Sequence, residues 1–143
     1  MKKVIFACVH NAGRSQMAAA FFNALADPGK ARAESAGTNP GPHVHPEVRD
    51  TMQELGIDLS GVKPQKLTAE LAADASLLVT MGCGDECPYV PGAERDDWPL
   101  PDPKGGPPER VRAIRDEIRV RVARLIETRG WDKSGTGAVI STY

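Results

Sequence analysis

The sequence predicts an α/β protein: a single three-layer domain with a parallel sheet covered by helices on both faces. Three observations predict it. Apolar runs and helix-period segments alternate along the chain, the pattern of strand–helix–strand units joined by right-handed crossovers. Val4-Ile5-Phe6-Ala7 and Leu77-Leu78-Val79-Thr80-Met81 are nearly continuous apolar runs, as expected of strands buried on both faces. The 143 residues suit one domain, and with 41% hydrophobic but only 5% aromatic residues its core should be aliphatic.

Lys3 to Ala7 reads as the first strand. Met17, Ala18, Phe21, Phe22 and Leu25 then recur at helical spacing, and Asp27-Pro28-Gly29 stops that helix. Ala31 to Ala36 is a second, weaker strand. Pro46 opens a helix with Val48, Met52 and Leu55 on one face, ended by Gly56. Residues 57 to 67 form a connection, and Thr68 caps a short helix through Ala73. Leu77 to Met81 is the strong central strand, and Ala93 to Trp98 a short fourth one. Residues 99 to 108, rich in Pro and Gly, form a loop. The last helix turns Val111, Ile114, Ile118, Val122 and Leu125 inward, with Arg112, Arg115, Glu117 and Arg119 on a solvated outer face. The domain is assigned to residues 1–129, and 130–143 is expected to be a flexible tail.

The densest chemistry lies in Cys8-Val9-His10-Asn11-Ala12-Gly13-Arg14-Ser15, between the first strand and the first helix. A loop at a helix N-terminus can turn its N–H groups toward an anion. Residues Val9 to Ser15 are therefore the candidate oxyanion-binding loop. Gly13 permits backbone angles that a Cβ resists. Arg14 adds a planar fork that matches two oxygens of a phosphate-like ion. The same positive field favours Cys8 as a thiolate nucleophile, Ser15 can donate to its sulfur, and Asn11 can tie the loop to itself. A plainer reading makes Cys8 a buried strand-end residue and Arg14 a solvated one.

The other two of the three cysteines stand in Cys83-Gly84-Asp85-Glu86-Cys87, just past the central strand. Loops at the carboxyl ends of parallel strands line one crevice, so all three sulfurs could converge. Alternatively Cys83 and Cys87 are inert small residues, although their polar filling argues against burial. A zinc site with His10, His43 or His45 is a further alternative, but paired Cys-x2-Cys ligand sets do not occur. No metal or other cofactor is assigned. His43 and His45 belong to a solvated loop that could rim the cleft, and they receive no role.

Asp102, in Pro101-Asp102-Pro103, is the candidate general acid. Flanking prolines restrict the backbone that carries its carboxyl. A turn aspartate beside proline is the plainer alternative. Asp96 and Asp97 read as solvated, and Trp98 as core.

With 18 Lys and Arg against 19 Asp and Glu, the net charge is −1. That excludes a basic nucleic-acid binder and an acidic tail. No apolar run is long enough to cross a bilayer, and Met-Lys-Lys leads straight into a strand without a signal peptide. The expectation is a cytoplasmic monomer, in a compartment where disulfides are transient and catalytic.

Cys8 to Met17, Glu34-Ser35-Ala36-Gly37-Thr38, Val79 to Pro88 and Trp98 to Pro103 resemble the low-molecular-weight tyrosine phosphatase superfamily, whose loop reads Cys-x5-Arg-Ser. Within it the similarity is to the arsenate reductases, over roughly residues 1 to 128. The resemblance implies a four-stranded phosphatase-like fold and reduction of arsenate to arsenite for arsenic detoxification. It implies a relay in which Cys8 attacks arsenate, Cys83 attacks Cys8, and Cys87 moves the disulfide to Cys83–Cys87. It maps the general acid to Asp102. Thioredoxin is the implied donor, with mycothiol- or glutaredoxin-type donors as alternatives, and phosphate or sulfate should mimic the substrate. Two departures stand out. Three residues separate Cys83 from Cys87 where many thioredoxin-coupled members have six. Ala19 and Gln65 replace the acids of the family's potassium site, although Asn11 and Ser35 match it. The alternatives are a tyrosine phosphatase using the same Cys8, Arg14 and Asp102, and a non-catalytic oxyanion-binding module.

Overall fold

β1 (Lys2–Cys8) is the organising strand, flanked by β2 (Ala31–Gly37) on one side and β3 (Leu77–Thr80) on the other; β4 (Glu94–Asp97) closes the sheet beyond β3. The order is β2-β1-β3-β4 and every pairing is parallel. The computed structural model describes residues 2–82 and 92–133. Cys83 and Cys87 fall outside the described residues.

The residues explain the layers. β1 is buried from Val4 to Cys8, and all of β3 is buried, so helices must cover both faces. α1 (Arg14–Leu25) and α4 (Pro108–Arg129) pack on one face with Phe6, Phe22, Val79, Ile118 and Val122 in the main core. The other face is a smaller cluster of Ile5, Ala7, Ala36, Leu67, Ala72 and Leu78 beneath α3 (Ala69–Ala72). α2 (Pro46–Gln53) adds Val48 and Met52 to the main core. Phe6 meets Phe22 edge-on at 6.0 Å and Trp98 at 5.6 Å. Each such fully buried side chain contributes about 1.5–3 kcal/mol of transfer free energy. β4 is exposed throughout and charged, as a sheet edge that resists further pairing.

Most expected elements are present, with instructive differences. α2 ends at Gln53 and the chain turns at Gly56 (φ +77°), so Leu55 falls past the helix and is exposed. Arg115, expected on the solvated face, is only 7% exposed. It reaches the end of α2, where Nη1 donates to Thr51 O (2.9 Å) and Glu54 Oε1 (2.9 Å). Leu125 is only half-buried, because Ile126, one helical turn beyond Val122, takes the inward position. Thr68 caps α3 by accepting from Leu71 N–H at 3.1 Å. Trp98 is core, as its sequence suggests. Asp96 and Asp97 are exposed, yet Asp96 accepts from Trp98 Nε1 (3.0 Å) and Asp97 from Thr80 Oγ1. Past α4 the chain stays on the body: Gly130 caps the helix in the left-handed region, Trp131 is buried, and Asp27 N–H donates to Trp131 O. Residues 134–143 lie outside the described residues. Among the described residues, no helix is long and apolar enough to cross a membrane.

Candidate active site

The site sits at the carboxyl end of β1, where the chain leaves the sheet through residues 9–13 and enters α1 at Arg14. Its order is best seen in where the backbone carbonyls go. Cys8 O accepts from Thr38 N–H, Val9 O from Asn39 N–H (2.8 Å), His10 O from Gly41 N–H (2.9 Å) and Ala12 O from His45 N–H (2.9 Å). Asn11 O accepts from Gln16 Nε2 (3.1 Å), and Gly13 O from Met17 N–H (3.0 Å). Every carbonyl from 8 to 13 is thus engaged by the surrounding scaffold. The backbone N–H groups from Val9 to Ser15 have no acceptor among the described residues. Gly13, the N-cap of α1, makes no side-chain cap bond, so the positive end of that helix also stays open.

The loop approaches β2 closely. A Cβ on Gly37 would stand 2.6 Å from Val9 O and 2.9 Å from Asn11 N, so only glycine fits there. Asn11 itself is fully buried with φ 50°, a left-handed angle that asparagine tolerates better than most residues. Its side chain shows how the strain is held. Asn11 Oδ1 accepts from Gln65 N–H (2.9 Å) and from Gln16 Nε2 (3.2 Å), which fixes the amide orientation. Asn11 Nδ2 must then donate to Ser15 Oγ, at 2.7 Å. Ser15 Oγ in turn lies 2.9 Å from Cys8 Sγ, and toward a thiolate the hydroxyl is the donor. Gln65 Nε2 also donates to Ser35 O (2.8 Å). Asn11, Ser35 and Gln65 thus form one hydrogen-bonded cluster, while Ala19 contributes no polar group to it.

Cys8 is 2% exposed. Arg14 is buried, with Nη1 donating to Leu100 O (2.8 Å) and Nη2 3.9 Å from Asp102 Oδ2. Gly82, at φ +100°, lies directly against the guanidinium; a Cβ there would collide with Arg14 Nη1. Asp102 is exposed, and its loop is closed by one internal hydrogen bond and anchored to the body by another. Lys104 N–H donates to Asp102 Oδ1 (3.0 Å), and Gly105 N–H donates to Glu47 Oε2 (2.6 Å) on α2. Pro103 packs 3.1 Å from where a Gly13 Cβ would be. The result is a small pocket lined by Cys8, His10, Ala12, Gly13, Arg14, His45 and Asp102.

The structure therefore brings Cys8, the Val9–Ser15 loop, Arg14 and Asp102 together. Reasoning from sequence gave no role to His45, which lines the pocket, or to Gly37 and Gly82, which make room for the loop and for Arg14. Glycines immediately after two strands were the available signal. Glu47, one residue after Pro46 in a first helical turn, holds the Asp102 loop and left no trace in the sequence. A cavity of about 590 Å³, lined by Leu25, Leu55, Val120 and Ile126, shares no residue with this pocket. Among the described residues no cluster of three His, Cys, Asp or Glu side chains could hold a metal ion.

A parallel sheet with a Cys-x5-Arg loop between its first strand and first helix is the framework of proteins that handle a tetrahedral oxyanion with a thiol. The chain belongs to the low molecular weight phosphotyrosine protein phosphatase family, whose model matches residues 3–134. A Halobacterium salinarum protein assigned as an arsenate reductase is 38% identical over 130 residues, covering 85% of this chain and 89% of that one. The glutaredoxin arsenate reductase of a Synechocystis species is 37% identical over 129 residues, 88% of this chain and 97% of that one. The structure of a thioredoxin-dependent arsenate reductase of Corynebacterium glutamicum superposes with a TM-score of 0.77 at 36% identity; the match covers 90% of this chain and about three fifths (61%) of that one.

Proposed function

We propose that this chain reduces arsenate to arsenite, with Cys8 as nucleophile and Cys83 and Cys87 as the thiols that carry the electrons out. The observation that supports an oxyanion substrate is the loop's polarity: six consecutive carbonyls are tied away, and seven amides have no acceptor among the described residues. Relatives that reduce arsenate, together with two further cysteines after Gly82, favour reduction over hydrolysis.

The chemistry balances as follows. Cys8 Sγ, held by the Ser15 hydroxyl, attacks arsenic, and one arsenate oxygen leaves as water after Asp102 supplies a proton. Arg14 and the loop amides neutralise the remaining oxygens. Cys83 then attacks Cys8 Sγ; the sulfur–arsenic electron pair departs with arsenic, which falls from +5 to +3, while the two sulfurs are oxidised to a disulfide. Cys87 attacks Cys83, freeing Cys8 and leaving Cys83–Cys87 for an external dithiol. Thioredoxin is the proposed donor and arsenic detoxification, inside the cell, the proposed role. A monomer suffices for every step. The relatives differ in donor, so a glutaredoxin- or mycothiol-type thiol is the specific competitor.

The test is NADPH oxidation with arsenate, thioredoxin and thioredoxin reductase. Turnover should cease in Cys83→Ser and in Cys87→Ser, and the donor is read by replacing thioredoxin with glutaredoxin or mycothiol systems. The second reading is phosphomonoester hydrolysis, which the family and the shared Cys8, Arg14 and Asp102 favour. Rapid hydrolysis of a phosphotyrosine peptide, indifferent to both serine variants and without arsenate reduction, would replace the first reading with the second.

A further inference from the structure

We propose that His45 is a further oxyanion-binding residue, whose imidazole takes one proton from solvent when a doubly charged tetrahedral anion enters the pocket. The inference rests on the oxyanion reading of the loop and adds to it a side chain outside the Cys8–Ser15 segment.

His45 precedes Pro46, the first residue of α2, and stands at the helix N-cap without a side-chain cap bond. Its backbone is pinned to the loop by His45 N–H donating to Ala12 O at 2.9 Å. Its ring Cδ2 lies 3.6 Å from the position a Gly13 Cβ would occupy, and the ring lines the pocket with Cys8, Arg14 and Asp102. The ring nitrogens make no hydrogen bond among the described residues. His10, the other histidine of the pocket, differs: its Nδ1 is engaged with Asn39 O at 2.9 Å.

The charges around His45 come from three elements. The loop contributes Cys8, His10 and Arg14; the β4–α4 connection contributes Asp102 and Lys104; α2 contributes Glu47. Burial pushes the imidazole below its ordinary value. Glu47 and Asp102 pull it up, Lys104 and His10 push it down, and the net direction is down. An empty pocket thus favours the neutral ring. A bound dianion adds negative charge a few ångströms away and reverses that balance, because a nearby opposite charge favours the protonated form. Asp102, the proposed proton donor, shares the pocket, so a neutral ring in the empty state leaves its carboxyl without a fixed cationic partner on that side.

Sulfate is the probe, because it stays doubly charged across the working pH range and cannot be reduced by thiols. Cys8→Ser is the parent protein, so that the thiol contributes nothing to the proton count. Calorimetry in buffers of different ionisation enthalpy should count about one proton taken up per sulfate. The dissociation constant should rise about tenfold per pH unit once the ring is neutral in the free protein. In Cys8→Ser/His45→Gln the proton count should fall to zero and the pH slope vanish. Cys8→Ser/His45→Lys should bind sulfate with no proton uptake. Proton uptake that persists in the His45→Gln protein assigns the proton to His10 or Asp102 and overturns the proposal. Binding by the parent without proton uptake overturns it while leaving the oxyanion reading intact; no sulfate binding at all defeats both. With three histidines in the chain, ring resonances of the parent give an independent readout. The His45 titration must move upward on adding sulfate, and an unmoved titration overturns the proposal even if the glutamine variant does not fold.

Discussion

Two loops face each other across the pocket, and they are held in shape by different means. Residues 8–13 are fixed by hydrogen bonds: each carbonyl has a partner, and Asn11 is locked by Gln16 and Gln65. Residues 99–107 have few such bonds and depend on Pro99, Pro101, Pro103 and Pro107, whose rings fix φ covalently. The first loop is held through its carbonyls, and its amides have no acceptor among the described residues. The second is stiff within itself but attached to the body at few points, through Glu47 and Arg14. A binding surface needs the first kind of order; a proton donor that must follow a departing oxygen needs the second. The contrast predicts that distorting the backbone of residues 9–13 removes binding and chemistry together, replacing the Cys8 sulfur alone spares binding, and damage to residues 99–107 removes chemistry alone.

The largest expected effect is at Cys8. Cys8→Ser should lower arsenate turnover by about 10⁴-fold or more, as removal of a nucleophile does elsewhere. Asp102→Asn should lower the chemical rate by roughly 10²–10⁴-fold while phosphate affinity holds. Single-turnover kinetics and phosphate titration separate the two quantities. A matching loss of affinity in Asp102→Asn would break the contrast, because it would make the second loop part of the receptor.

Paired glycine changes sharpen the comparison. Gly37→Ala puts a methyl group against Val9 O and Asn11 N beneath the first loop. It should cost about 1–3 kcal/mol by overpacking and weaken phosphate binding. Gly105→Ala, at φ +70° with open space around it, should cost only ~1 kcal/mol and leave phosphate binding unchanged. Urea unfolding and phosphate titration of both variants check this, and weakened binding in Gly105→Ala is the adverse result.

What could be read from the sequence follows the same division. Cys8, Arg14 and Ser15 were legible because their chemistry lies within eight contiguous residues between a strand and a helix. Asp102 was legible because two prolines flag it. Contacts that cross the fold were not legible. Arg115 looks like one more arginine on a charged helix face, and its burial depends on where α2 happens to end. His45 looks like a loop histidine until Ala12 O is found bonded to its backbone. Gly37 and Gly82 carry no periodic signal, and their purpose appears only when the loop and Arg14 are set beside them.

The smallest predicted effect tests the support that both loops share. α2 carries His45, bonded to the first loop, and Glu47, bonded to the second. The end of α2 is fastened to α4 by Glu54, which accepts from Arg112 Nη2 (2.7 Å) and Arg115 Nη1 (2.9 Å). The Arg112 hydrogen bond, with a further contribution from Arg115, lowers the Glu54 carboxyl to about 2. A carboxyl whose value is depressed on folding stabilises the protein above its ordinary value near 4.5, and that contribution is lost as pH falls from there toward 2. Glu54→Gln should therefore be less stable than the parent at pH 6, with the gap narrowing between pH 4.5 and 2. Urea midpoints across that range measure it. Because the ion pair is exposed, the gap should also shrink in high salt. A gap that ignores pH would trace to packing at the α2 terminus, and α2 would then support the two loops by shape, without help from this charge.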